Sequence, residues 1–417
     1  MAPRLLRFRA TLPLLLILTV GPGFADLVDD TVETILSRRN IPGMSIAVID
    51  GSRIVRAQGY GVLELGRADR VTPDTLFQAA SISKPVTALG ALRLVADGKL
   101  SLDADINSAL TSWRLPENEF TKDQKVTLRR ILSHQAGLTV SGFAGYGPGE
   151  PVPSLTAILD GLSPANSVAV RVDTVPGSSW RYSGGGYTVL QQAMIDASGQ
   201  PFAEYMRQTV LEPLGMRASR YDQPLATART ALAAHGYTWR REPLPGGANT
   251  YPELAAAGLW TTPSDLARFA IGIQESLAGR STPVISADRT REMLTRQKYN
   301  SALGFFVYAG NRTQRFAHGG RNLGFDSQLV AYLEQGKGAI VMLNANDRYG
   351  RTINEVLDAI AIQYDWPEYR RLPWYEPVFA FYEDFTRWVY VGAAAVLGLV
   401  GFGIWRRQKR SRRKAAA

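Results

Sequence analysis

The chain has 417 residues, 45% of them hydrophobic and 20% charged, with 39 Gly, 23 Pro and no Cys, a composition that fits a globular protein with a full core and excludes disorder and collagen. Its formal charge of +10 comes entirely from its two ends, because residues 1–25 hold three Arg and residues 406–417 hold seven Lys and Arg, with no acid in either. The body between them is neutral overall and gives no support for nucleic-acid binding.

Residues 1–25 read as a signal peptide: Arg4, Arg7 and Arg9 precede an apolar stretch at 12–20, and Gly23-Phe24-Ala25 ends in small residues suited to cleavage. After a short helix, residues 44–49 and 53–57 flank Asp50-Gly51 and read as a hairpin. From Ser81 onward Ile82, Val86, Leu89, Leu92 and Val95 recur at helical spacing and Gly98 supplies a stop, which predicts one buried helix. Further helices are expected at 128–134, 187–197 and 264–277, the first and last started by Thr127 and by Thr262 with Pro263. Short apolar runs at 305–308, 328–332 and 339–343 read as neighbouring antiparallel strands, followed by a last helix at 352–364. The layout is α+β: an antiparallel sheet built from both ends of the chain, flanked by terminal helices, with a mostly helical lobe inserted.

That globular domain is expected to span residues 26–365, with a juxtamembrane linker at 366–387. Residues 388–405 are eighteen consecutive uncharged residues bracketed by Trp388, Tyr390 and Trp405, long enough at about 1.5 Å per residue to cross most of a bilayer core. The basic tail at 406–417 follows, and the positive-inside rule puts it in the cytoplasm. These features predict a bacterial single-pass membrane protein with its folded domain on the periplasmic or extracellular side.

The absence of Cys removes disulfides, thiol nucleophiles and thiolate metal sites, and His134, His235 and His318 lie too far apart to form a two-histidine zinc helix. No metal and no other cofactor is expected, so a hydroxyl or carboxylate must carry any hydrolytic chemistry. Ser81-Ile82-Ser83-Lys84 puts a hydroxyl and an amine one helical turn apart on one face. A serine hydroxyl needs a base within hydrogen-bond reach, and a lysine whose pKa is lowered by burial can serve. A backbone N–H at the start of the helix also suits an oxyanion. The same spacing recurs at Ser411-Arg412-Arg413-Lys414, so context must decide.

The segment Leu76-Phe77-Gln78-Ala79-Ala80-Ser81-Ile82-Ser83-Lys84 resembles the nucleophile segment of the class C β-lactamase and penicillin-binding-protein-like serine hydrolases. Further landmarks stand in that family's order: residues 132–138 (Leu-Ser-His-Gln-Ala-Gly-Leu), Tyr182-Ser183-Gly184, Pro213-Leu214-Gly215-Met216, residues 258–266 and His318-Gly319-Gly320. The resemblance runs from about Pro42 to Leu343 and implies a β-lactamase/transpeptidase-like fold with the serine between sheet and helical lobe. It further implies that Ser81 attacks, Lys84 accepts or relays the proton, and Tyr182 protonates the leaving group. The oxyanion hole would pair the N–H of Ser81 with that of Arg321, and Ser183, Gly184, His318, Gly319 and Gly320 would bind substrate.

Two positions depart from the family's pattern. Gly184 replaces the usual Asn of the second motif, so the substrate's own amide loses a partner. His318 replaces the Lys of the third, which weakens recognition of a substrate carboxylate unless Arg321 restores a cation. Histidine-containing third motifs are found among the family's aminopeptidase and esterase members. His134 is expected to satisfy backbone groups within its loop, and His235 to be structural. The function expected is a membrane-tethered serine hydrolase acting on an ester or small peptide amide, the alternative being a penicillin-binding sensor or pseudoenzyme of the same fold. Residues 142–153, rich in Gly and Pro, are expected to overhang the site.

Overall fold

The structure, a computed structural model, describes residues 26–369. The expected signal peptide at 1–25, the span at 388–405 and the basic tail lie outside the described residues, among which no helix is long and apolar enough to cross a membrane.

The chain enters through α1 (Leu27–Arg39), whose N-cap Asp26 accepts hydrogen bonds from the N–H groups of Val28 and Asp29. It then forms β1 (Gly43–Asp50) and β2 (Arg53–Gly61). β3 (Phe77–Gln78) leads into a 3-10 turn at Ala80–Ile82 and then α2 (Ser83–Ala96). The helical lobe follows with α3 (Leu128–Leu132), α4 (Leu155–Asp160), α5 (Gly184–Ser198), α6 (Phe202–Met206), α7 (Thr227–Thr230) and α8 (Leu254–Ala257). β4 (Trp260–Thr261) pairs with β3. The chain returns through α9 (Pro263–Leu277) and α10 (Ala287–Leu294), then β5 (Phe306–Ala309), β6 (Gln314–Asn322), β7 (Phe325–Tyr332) and β8 (Gly338–Leu343), and closes with α11 (Arg351–Gln363).

The main sheet has six strands in the order β2-β1-β8-β7-β6-β5, all antiparallel. Pairing of β1 with β8 joins the two ends of the described chain, as the sequence predicts. Helices cover both faces, so the central strands are apolar on both sides rather than alternating. Met44, Ile46 and Val48 of β1 pack with Val341 and Leu343 of β8 against Val28, Val32, Val356 and Ile360 of α1 and α11. Ala47 and Ile49, with Ile340 and Met342, face the opposite core, which continues through Ile82, Val86, Phe269 and Phe316 into the helical lobe.

Among the strands of the main sheet, β6 is the one that the sequence pattern did not reveal. Its residues Gln-Arg-Phe-Ala-His-Gly-Gly-Arg-Asn carry two glycines and three basic side chains, and β-propensity is weak where tertiary pairing decides. β5 pairs with β6 only as far as Phe306↔Ala317, whereas β7 pairs with it from Arg315 to Asn322. The segment from His318 to Asn322 is therefore left without a β5 partner, and this stretch carries the third motif.

Candidate active site

Ser81 stands in the 3-10 turn immediately before α2 rather than inside the helix, which starts two residues later than the spacing predicts. The residue before it, Ala80, has φ +50° although it is not glycine and is fully buried, a left-handed conformation that persists only where its surroundings enforce it. Those restraints are visible. The Ala79 N–H donates to the Leu259 carbonyl at 2.8 Å, and the Ala79 carbonyl accepts from Ser327 Oγ of β7 at 2.9 Å. Ser83 Oγ donates to the Ala80 carbonyl at 2.6 Å and accepts the N–H of Leu259 at 3.0 Å. The Tyr221 hydroxyl donates to the Ser83 carbonyl at 3.0 Å. The Ser83 hydroxyl is thus committed to holding this turn.

Lys84 is buried, with Nζ 3.0 Å from Ser81 Oγ and 2.8 Å from the carbonyl of Ala256. Burial pulls its pKa down to about 7 because an ammonium loses its hydration there. As a neutral amine it donates one N–H to Ala256 and can turn its lone pair to the serine hydroxyl. The Ala256 carbonyl, supplied by α8 just before the Gly258 landmark, was not anticipated. Backbone acceptors carry no signature in sequence.

Burial holds the pKa of the Tyr182 hydroxyl well above that of a free tyrosine, against a smaller lowering by the neighbouring Ser81 side chain, so at neutral pH it is a phenol with a proton to give. Lys84 Nζ lies 4.9 Å from the centre of its ring. Ser81, Lys84 and Tyr182 therefore meet as the sequence predicts. This arrangement can remove a proton from the serine on one side and deliver one on the other.

His318 is buried in β6, its ring 6.3 Å from that of Tyr182. Its Nδ1 lies 2.7 Å from the Gly319 carbonyl, and since a carbonyl only accepts, this nitrogen carries the hydrogen. Burial first, and then nearby Lys84, lowers its pKa to about 3, so His318 is neutral in the working range. Gly320 is required where it stands, because a Cβ there would lie 2.1 Å from the Ala79 carbonyl oxygen and 2.5 Å from Ser327 Oγ. The missing side chain lets β6 press against the Ser81 turn.

Two expectations are corrected by the geometry. The Arg321 guanidinium does not restore a cation for substrate. It makes a two-pronged pair with Asp326, Nε to Oδ1 at 2.8 Å and Nη2 to Oδ2 at 2.7 Å, and also donates to the Asp347 carbonyl. Its backbone stays on the stretch of β6 beyond the end of β5, the position that an oxyanion donor needs. Nor is the Ser183 hydroxyl open to substrate: it donates to the Thr139 carbonyl at 2.8 Å and caps α5 by accepting the Gly186 N–H at 2.9 Å.

At Gly184, the other departure from the motif, the N–H donates to the Ser141 carbonyl at 3.1 Å. A Cβ there would lie 3.0 Å from the Phe143 ring and 3.1 Å from the Ser141 oxygen. The loop expected to overhang the site thus sets an aromatic ring where the motif's usual amide would begin. Beyond the bond from its N–H to the Ile131 carbonyl in its own segment, His134 binds the Tyr182 segment. Its carbonyl accepts the Arg181 N–H at 2.8 Å and its Nδ1 accepts the Ser183 N–H at 3.2 Å. His235, by contrast, is half-exposed beside Glu64. Among the described residues no cluster of His, Cys, Asp and Glu could hold a metal ion.

Comparison with known proteins agrees with this geometry. Esterase EstB of Burkholderia gladioli is 34% identical over 206 residues, covering 47% of this chain and 51% of that protein. Protein flp of Staphylococcus aureus is 22% identical over 338 residues, covering 77% and 63%. The chain thus spans about half to under two-thirds of the length of these relatives. Among solved structures, D-amino acid amidase from Ochrobactrum anthropi superposes with a TM-score of 0.64 at 21% identity, over 81% of this chain and 98% of the other. D-alanine carboxypeptidase AmpC from Burkholderia cenocepacia gives 0.63 at 20% identity, over 80% and 98%. Both share the fold. The beta-lactamase family profile matches residues 28–361, and with the whole sheet and the helical lobe inside that match, the chain belongs to the beta-lactamase family.

Proposed function

We propose that the protein is a serine hydrolase that forms an acyl intermediate on Ser81 and acts on an uncharged ester or small amide. The observation that carries this reading is Lys84: a buried amine, pKa about 7, 3.0 Å from Ser81 Oγ. Lys84 takes the Ser81 proton while Oγ bonds to the substrate carbonyl carbon. The carbonyl oxygen becomes an oxyanion facing the N–H groups of Ser81 and Arg321. Tyr182 gives its proton to the departing alkoxide or amine, the carbon–heteroatom bond breaks, and the proton on Lys84 restores the phenol. Water then attacks the acyl carbon, losing a proton to the same pair, and Ser81 Oγ leaves with a proton.

Substrate class follows from charge. His318 is neutral and the Arg321 side chain is engaged by Asp326, so the third motif offers no free cation to a substrate carboxylate. Gly184 offers no side-chain amide, and Phe143 stands against it. Both features favour a neutral, apolar acyl group over a penicillin or a peptide with a free carboxylate, in keeping with an esterase among the relatives. The uncharged run at 388–405, flanked by aromatics and followed by a basic tail, would tether the domain outside the cytoplasmic membrane. Hydrolysis of p-nitrophenyl butyrate by the full chain, lost in Ser81→Ala, tests the activity; persistent penicillin acylation of Ser81 without turnover would point to a binding protein instead.

A further inference from the structure

We infer that His134 is a positioning residue for Tyr182, holding the phenol at Ser81 by fixing the backbone on both sides of it; this rests on Tyr182 acting as proton donor to the leaving group. His134 lies 48 positions before Tyr182 in sequence, yet its carbonyl accepts the N–H of Arg181 at 2.8 Å and its Nδ1 accepts the N–H of Ser183 at 3.2 Å. Tyr182 is the one residue between those two anchors. The imidazole also packs on the phenol face, the ring centres 4.3 Å apart and the planes inclined at 35°.

The anchor is itself held rigid. His134 has φ +59°, which a non-glycine residue adopts only under restraint, and its N–H donates to the Ile131 carbonyl at the end of α3. Beyond it, the Gln135 carbonyl accepts the Gly177 N–H at 2.7 Å, and Gln135 donates to the Arg130 carbonyl. The imidazole is fully enclosed among Trp180, Tyr182, Tyr187 and Phe306. An Nδ1 that accepts a backbone hydrogen bond must carry no hydrogen, which fixes the tautomer and excludes His134 as a proton donor through that nitrogen. The residue contributes an acceptor at one point in space. A hydroxyl that must reach both Ser81 and a leaving atom tolerates little displacement, since small misplacements of a reacting group cost rate steeply.

The test compares two esters of one acid in the full chain: p-nitrophenyl butyrate, whose phenolate leaves unaided, and ethyl butyrate, whose alkoxide needs a proton. His134→Phe keeps an aromatic ring and removes the acceptor. His134→Gln moves the acceptor away by one methylene, and His134→Asn keeps an oxygen near the Nδ1 position. The expected result is a loss of about 10-fold to 100-fold in kcat/KM, which reports the acylation step alone, for the ethyl ester in His134→Phe and His134→Gln, with less than about 3-fold loss in kcat/KM for the p-nitrophenyl ester. His134→Asn should recover most of the ethyl ester rate. Equal losses on both esters, or no loss in folded His134→Gln, would overturn the inference while Tyr182→Phe still shows the leaving-group dependence. If Tyr182→Phe itself lowers kcat/KM for both esters alike, the donor reading fails and takes this inference with it.

Discussion

Lys84 Nζ lies 3.0 Å from Ser81 Oγ, and its other hydrogen-bond partner is a neutral carbonyl, that of Ala256. Burial is what lowers its pKa to about 7. Below that pH the amine is protonated and cannot accept the serine proton. The predicted kcat/KM for p-nitrophenyl butyrate therefore falls about tenfold per pH unit on the acid side of about pH 7 and levels off above it. A profile that stays flat well below pH 7 would show that another group is the base. Lys84→Met should remove the acid limb together with about a thousandfold of the rate.

The contact between Gly320 and Ala79 makes a second prediction. A methyl at position 320 meets backbone and Ser327 Oγ, neither of which is a loose chain end, so β6 must move away from the Ser81 turn. Gly320→Ala should cost about 3 kcal/mol in stability and lower activity by more than about tenfold in the fraction that remains folded. Thermal melts and active-site titration check the two separately. A variant with unchanged melting temperature and full activity would mean that the turn is not docked on β6 as described.

Glu253, which stands immediately before α8, is fully buried, and among the described residues neither carboxylate oxygen has a hydrogen-bond partner. Burial pushes its pKa up to about 7. The folded protein thus keeps a proton in the range where an unfolded chain, with its ordinary value of 4.5, has lost it. Stability from this group is complete below the unfolded value and is lost as pH rises to about 7. Glu253→Gln removes the effect, so its stability relative to wild type should improve by about 2–3 kcal/mol between about pH 5 and about pH 8. Denaturant melts at the two pH values measure this. A difference that does not change with pH would show that Glu253 stays ionised throughout.

Phe143 bears on specificity. Its ring stands against Gly184, two residues from Tyr182. Truncation by Phe143→Ala should lower the preference for butyryl or hexanoyl over acetyl esters about fivefold to tenfold, as expected for one or two methylenes losing an apolar wall, with activity on the acetyl ester nearly unchanged. Ratios of kcat/KM across the acyl series give the answer, and an unaltered ratio would place the acyl group elsewhere.

These relationships differ in how far they could be read from sequence. The β1 run at 44–49 was legible because a strand covered on both faces is apolar throughout. The pairing of Ser81 with Lys84 was legible because it lies within one turn of chain. β6 was not, since its glycines and basic residues are chosen for the site rather than for strand propensity, and pairing with β7 overrides them. In sequence Arg321 is a candidate cation for substrate, because Asp326, its partner across the hairpin, becomes a neighbour only once β6 and β7 pair. The bonds from His134 to Arg181 and Ser183 join backbone to backbone and ring to backbone over almost fifty residues, and no local pattern records such contacts.

The central claim is that Ser81 is the nucleophile, and covalent labelling tests it most directly. The full chain is treated with a fluorophosphonate, which releases fluoride as the serine oxygen bonds to phosphorus, and is then digested and mapped by mass spectrometry. The account predicts one adduct, on the peptide bearing Ser81, that is absent in Ser81→Ala and strongly slowed in Lys84→Met, both variants melting as cooperatively as wild type. An adduct on another residue, or none in a folded, soluble sample, would contradict it.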